Sequence, residues 1–90
     1  MNKRELIDEV STKTGLTKRV SRETVDAVIS AITDSLAREE EVTLVGFGIF
    51  HVRKRKAREG RNPQTGKAIQ IPAKKVPKFR AGKNLREVVG

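Results

Sequence analysis

Leu6, Ile7 and Val10 share one side of an otherwise charged and polar stretch, and this spacing predicts an amphipathic helix over about residues 3–14. Asn2 and Glu5 stand in an Asn-x-x-Glu arrangement, a relative of the capping box, and Gly15 supplies the left-handed residue that ends the helix. Thr17 is the expected N-cap of a second, longer helix running to about Arg38. Val25, Val28, Ile29, Ile32 and Leu36 recur there at spacings of three and four, with Ala27 and Ala31 alongside, and the stripe reads as core. Two such helices with a short loop between them make an αα-hairpin.

After Glu39-Glu40-Glu41 the period changes from helical to alternating. Val42, Leu44 and Val45 predict a short strand, Gly46-Phe47-Gly48 a tight turn, and Ile49 to Arg58 a second strand with Phe50 and Val52 on its buried side. Beyond Val52 the strand is charged on both faces, so it cannot lie on a core and should project into solvent as one limb of a ribbon. Gly60 to Lys67 carries the turn residues. The chain then returns through Ala68, Ile69 and Ile71, and on through Lys74, Val76 and Lys78 to Phe79. Pro72 and Pro77 confine that limb to an edge or a bend, with little continuous pairing near them. Ala81-Gly82 breaks the chain, and Lys83 to Val89 form a short final helix with Leu85, Val88 and Val89 on its apolar side.

The expected fold is α+β: an N-terminal helical hairpin, a three-stranded antiparallel sheet with a protruding β-ribbon arm, and a short C-terminal helix. It forms a single domain over residues 1–90, with a body of 1–52 and 73–90 and an arm of 53–72. Without the arm the body is roughly seventy residues, near the lower limit for an independent core. Phe47, Phe50 and Phe79 are the only aromatic residues, and all lie on sheet segments, where they look buried. They read as a surface that pairs with its twin in a two-fold homodimer, with Leu36 and Leu44 in the shared core. A self-contained monomer core is the alternative.

Charge separates the halves. Residues 1–50 hold 7 Lys/Arg against 9 Asp/Glu, whereas residues 51–90 hold 13 against 2, within a net charge of +9. A near-neutral scaffold followed by a strongly basic segment points to a polyanion-binding element. No cysteine is present, so neither a disulfide framework nor a thiolate metal site is available, and His51 is the single histidine. The serines Ser11, Ser21, Ser30 and Ser35 lie in helical segments without a base partner. No catalytic constellation and no cofactor is therefore expected. No apolar run reaches the length of a membrane span and the N-terminus reads directly into helix, so no membrane contact and an intracellular, cytoplasmic setting are expected.

The cations Arg53, Lys54, Arg55, Lys56, Arg58, Arg61, Lys67, Lys74, Lys75, Lys78, Arg80, Lys83 and Arg86 form a nearly uninterrupted basic run on extended structure. Single-strand binding by base stacking needs exposed aromatics, which this chain lacks. A two-stranded ribbon instead fits a duplex groove. At its tip Arg61 and Asn62 stand beside Pro63, which is either an ordinary turn proline or a wedge between base steps.

VGFGIF at 45–50, GRNPQTGK at 60–67, IP at 71–72 and VPKFRAGK at 76–83 together resemble the bacterial HU/IHF histone-like proteins, over essentially all ninety residues. MNKRELID at the start is similar to the HU branch in particular. That family is itself a standard example of minor-groove proteins that insert apolar wedges. The resemblance implies an intertwined dimer whose arms hold double-stranded DNA and bend and compact it with little sequence preference, in the bacterial nucleoid. Carried over, Pro63 takes the intercalating position with Arg61, Asn62 and Gln64 beside it, and Arg53, Arg55 and Arg58 line the arm. Lys75, Arg80, Lys83 and Arg86 meet flanking phosphates, Gly46 and Gly48 admit a phosphate to backbone amides, and Lys3 touches DNA at the far edge. Bent, nicked or gapped duplex is the favoured form, with RNA a secondary partner. An IHF-like, sequence-preferring subunit and an RNA-binding basic protein are the alternative readings.

Overall fold

In the computed structural model, which describes residues 1–90, helix α1 spans Lys3–Thr14 and α2 spans Lys18–Ala37. Asn2 caps α1 by accepting the Glu5 amide on its Oδ1 at 2.9 Å, and Gly15 closes it at φ 75. Thr17 caps α2 through Oγ1, which accepts the Val20 amide at 3.2 Å. The strands follow as β1 (Val42–Leu44), β2 (Gly48–Arg55), β3 (Arg58–Arg61), β4 (Ala68–Ile71) and β5 (Lys74–Ala81), and α3 (Lys83–Val89) ends the chain. The chain divides into two compact units, Met1–Asp34 and Ser35–Gly90.

In the first unit the buried residues are Ile7, Ser21 and Val25. Ion pairs of Lys3 with Asp26 and of Lys18 with Asp8 (3.1 Å) tie α1 to α2 across their exposed edges. The stripe expected to be core is only partly covered. Val25 is buried and Ile32 and Leu36 are half-buried, but Val28 and Ile29 are 53% and 46% exposed.

In the second unit, β1, β2 and β5 form an antiparallel sheet in that order, while β3 and β4 pair as a separate ribbon. The strand expected to run unbroken from Ile49 to Arg58 is interrupted at Lys56–Ala57. The cause lies across the ladder: Arg55 pairs with Lys74 and Arg58 with Ile71, so the gap faces Pro72–Ala73, and proline has no amide to donate. Pro77, by contrast, sits inside continuous pairing opposite Val52. It is accommodated because β5 is an edge strand, with only β2 beside it. The tight turn also lies one residue earlier than expected. The Phe47 amide donates to the Leu44 carbonyl at 2.9 Å around Val45-Gly46, with Gly46 at φ 82, and Gly48 already belongs to β2.

Pleating gives the three-stranded sheet two unlike faces, because directly opposed residues share a side. Val42, Leu44, Gly48, Phe50, Val52, Pro77, Phe79 and Ala81 occupy one. On it the Phe79 ring stacks obliquely against Phe50, with centroids 4.7 Å apart, and Phe47 joins at 5.4 Å. The three rings do gather, but they are not buried in one chain: Phe47 is 47% and Phe79 43% exposed.

Candidate nucleic-acid interface

The opposite face of the sheet is built from the same register. Thr43, Ile49, His51, Arg53 and Arg55 alternate onto it, and β5 adds Lys74, Val76, Lys78 and Arg80. Arg53, Arg55, Lys74, Lys78 and Arg80 are exposed, and none has a carboxylate within ion-pair distance. Arg55 stands directly opposite Lys74. Like charges directly opposed across a ladder weaken the sheet, so this face is matched to an anion that arrives from outside. No acidic side chain of the ladder interrupts it.

The β3–β4 ribbon distributes its charge differently. Arg58 shares a side with Gly60, Ile69 and Ile71, whereas Arg61 lies with Glu59, Ala68 and Gln70 on the other. One arginine is thus offered to each side of the ribbon. A Cβ at Gly60 would come within 2.9 Å of Ile71 Cδ1, the end of a side chain that can turn aside.

At the tip, Asn62 organises the loop from both ends. Its Oδ1 accepts the Gln64 amide at 2.9 Å, its backbone amide donates to the Lys67 carbonyl at 2.9 Å, and its carbonyl accepts the Gly66 amide at 2.8 Å. Gly66 takes φ 70, a conformation that side chains other than glycine adopt rarely. The effect is to hold Pro63 in a turn with its ring exposed beyond the paired strands. Gln64 is exposed beside it, and Asn62 is half-buried by its own loop bonds.

The remaining expected contacts are dispersed. Lys83 and Arg86 are exposed on α3, with Lys83 loosely paired to Glu87 at 3.9 Å. Lys3 is paired with Asp26 in the first unit. Lys75 is not on the face that carries Arg80. The register puts it opposite Lys54 on the other side of the ladder, where Glu39 reaches both. Gly46 and Gly48 both have structural reasons: the turn holds the first at φ 82, and the Phe79 ring and Arg80 carbonyl lie over the second.

Sequence reasoning placed Lys54 and Lys75 in one basic run, carried over only Lys75 as a contact, and gave Glu39 no part in the site. The Lys75 ammonium lies 2.9 Å from Glu39 Oε1 and the Lys54 ammonium 3.4 Å from the same oxygen. Hydrogen bonding from Lys75, aided by the charges of both lysines and opposed by partial desolvation, holds the Glu39 carboxyl below the ordinary glutamate range. Only the strand register brings these residues together, since they are far apart in the chain.

No helix is long and apolar enough to cross a membrane. A family model described as bacterial DNA-binding protein matches residues 1–90. The chain is 56% identical over 89 residues to the DNA-binding protein HU of Staphylococcus aureus strain COL, covering 99% of each chain. It is 54% identical over 89 residues to the DNA-binding protein HU-beta of Serratia marcescens, again over 99% of each. Among solved structures, it resembles an Anabaena HU–DNA cocrystal structure with a TM-score of 0.90 and 48% identity, covering 100% of this chain and 98% of that one. Thermotoga maritima HU follows with a TM-score of 0.73 and 37% identity over the full length of both. A sheet with one unpaired basic face, a ribbon with an arginine on each side and full-length likeness to these proteins agree: the chain belongs to the bacterial DNA-binding protein family that includes HU.

Proposed function

We propose that this chain is an architectural protein that binds duplex DNA, bends it and compacts it, with little dependence on sequence. The observation that carries the reading is the basic face of the β2–β5 ladder, where five exposed cations stand without a carboxylate partner. A surface of this kind is served by phosphates, whose neutralisation releases counterions and makes affinity fall steeply with salt. Its likeness to a chain crystallised with DNA supports the same partner.

Roles follow position. Arg53, Arg55, Lys74, Lys78 and Arg80 meet the phosphate backbone and set orientation without reading bases. The ribbon, taken with its flanks as an arm of residues 53–72, enters the minor groove, and Arg58 and Arg61 face its two walls. Asn62 and Gln64 reach base edges near the tip, and Pro63 inserts between base steps and kinks the duplex. Lys75, Lys83, Arg86 and Lys3 extend the contact to flanking DNA, and the Gly46 turn offers backbone amides. Wedge insertion favours DNA that is already bent, nicked or gapped, since less unstacking remains to be done. RNA is a secondary ligand reached through phosphates alone. The chemistry is binding rather than catalysis, and the place of action is the nucleoid.

The working form is an intertwined homodimer. In one chain only Ile7 and Val25 are buried apolar residues, whereas Val28, Ile29, Leu44, Phe47 and Phe79 are each at least 40% exposed. Val28 and Ile29 belong to one unit and Leu44, Phe47 and Phe79 to the other, and apolar side chains left open to water in each are poorly matched to a chain of this size standing alone. A second copy related by two-fold symmetry covers these residues, together with Leu36 and Phe50. Sedimentation at micromolar concentration should return twice the 10.0 kDa chain mass; a single-chain mass contradicts the dimer.

Replacing Arg58 or Arg61 by alanine tests the binding mode. Each variant should weaken binding uniformly across unrelated duplex sequences and lower the salt slope by about one unit at most. A variant whose sequence preference changes instead would mean that the arginine reads bases.

A further inference from the structure

Glu39 occupies an unusual position. The last turn of α2 closes with the Glu40 amide donating to the Ser35 carbonyl at 2.8 Å and the Glu39 amide to the Leu36 carbonyl at 3.0 Å. That is the Schellman pattern, and its left-handed residue is usually glycine. Here it is Glu39 at φ 60, the only residue other than glycine with positive φ in the chain. A side chain kept in a strained backbone conformation is a reason to ask what that side chain does.

Its carboxylate does one visible thing. A single oxygen, Oε1, bridges the ammonium groups of Lys75 and Lys54, which the register sets directly opposite each other on β5 and β2. The two lysines would otherwise repel. They are also the only cations of the β2–β5 ladder with a carboxylate partner. The cluster is open to solvent: the lysine side chains are 70% and 64% exposed, and that of Glu39 is 34% exposed. An incoming anion can reach the same two ammonium groups.

We infer that Glu39 is an internal competitor for DNA phosphate, occupying the ammonium groups of Lys54 and Lys75 on their own side of the ladder until a phosphate displaces its carboxylate. The inference rests on the proposed DNA binding and adds a residue that sets its strength. Phosphate and carboxylate make the same charge-assisted bonds to lysine, so engaging one means releasing the other. The remaining ladder cations carry no such debit. The wild-type chain therefore binds more weakly, and with a shallower salt dependence, than its count of cations allows.

The test compares wild-type chain with Glu39→Gln and Glu39→Gly on one intact duplex across a salt series. Glutamine removes the charge and keeps the shape, while glycine also relaxes the left-handed backbone and so guards against loss of fold. Both variants should bind roughly two- to fivefold more tightly at low salt for each exposed ion pair released. The salt slope should steepen by up to about 0.9 for each lysine freed to meet a phosphate. Adding Lys75→Gln to Glu39→Gln should remove most of the gain. Unchanged affinity and slope in both variants overturns the competitor role, as does weaker binding, which would mean that the carboxylate positions the lysines for DNA. Either result leaves the DNA-binding reading intact if the wild-type chain binds duplex. Absence of salt-dependent duplex binding by the wild-type chain overturns that reading, and this inference with it.

Discussion

Gly48→Ala lowers the thermal midpoint of this protein by roughly 5–20 °C. The residue is buried as the first of β2, between Leu44 on β1 and Ala81 on β5. A Cβ built there lies 2.5 Å from Phe79 Cε1 and Cζ and 2.6 Å from the Arg80 carbonyl oxygen. The ring cannot move aside freely, because it packs against Phe50 and Phe47, and the carbonyl belongs to the ladder itself. Overpacking of this kind costs about 1–3 kcal/mol or more. For a domain of this size each kcal/mol moves the midpoint by roughly 4–8 °C. Because the same ring cluster forms the proposed subunit contact, dimer dissociation should begin at higher protein concentration than in the wild type. Calorimetry at two concentrations checks both effects, and a variant that melts with the wild type would show that the ring is not held there.

Pro63→Ala should keep most of the affinity for duplex DNA and lose much of the bend. Attraction comes from cations spread over the ladder, the ribbon and α3, and Pro63 contributes no charge to it. Its place is the exposed apex of a loop that Asn62 holds from both sides. An alanine leaves those bonds in place but presents a methyl group where a rigid ring stood. Wedges of this type kink DNA by roughly 20–90°, so the change is large enough to read by fluorescence energy transfer between labelled duplex ends. Affinity should fall by less than about tenfold, which is about 1.4 kcal/mol. An unchanged end-to-end distance would remove Pro63 from the bending mechanism, whereas affinity lost in proportion to bend would make the wedge a main source of binding energy.

The local features were legible because their causes are local. Asn2, Gly15 and Thr17 bound the helices within a few residues of the chemistry that places them, and alternation around Phe50 and Val52 marks a half-buried strand. What escaped depends on residues distant in sequence. A break in pairing at Pro72 was expected, but that it interrupts the other limb at Lys56–Ala57 becomes visible only once Arg55 is known to face Lys74. Gly48 reads as a turn residue until Phe79 is placed over it. Val28 and Ile29 read as core because periodicity reports an apolar stripe, not whether its own chain covers it. Of the interface, the basic residues were plain from composition, but their division between two faces was not. That division separates Lys75 from Arg80 and delivers it to Glu39, and it needs the register.

The central claim, that DNA deformability rather than base sequence sets affinity, is tested most directly by competition binding across a salt series. The competitors are one intact duplex, the same duplex with a nick or gap, a scrambled duplex and an RNA of matched length. The account predicts tighter binding to the nicked or gapped duplex, equal binding to the two intact sequences and weaker binding to RNA. A strong preference for one intact sequence would contradict it in favour of a sequence-reading, IHF-like subunit, and a preference for RNA would contradict DNA bending altogether.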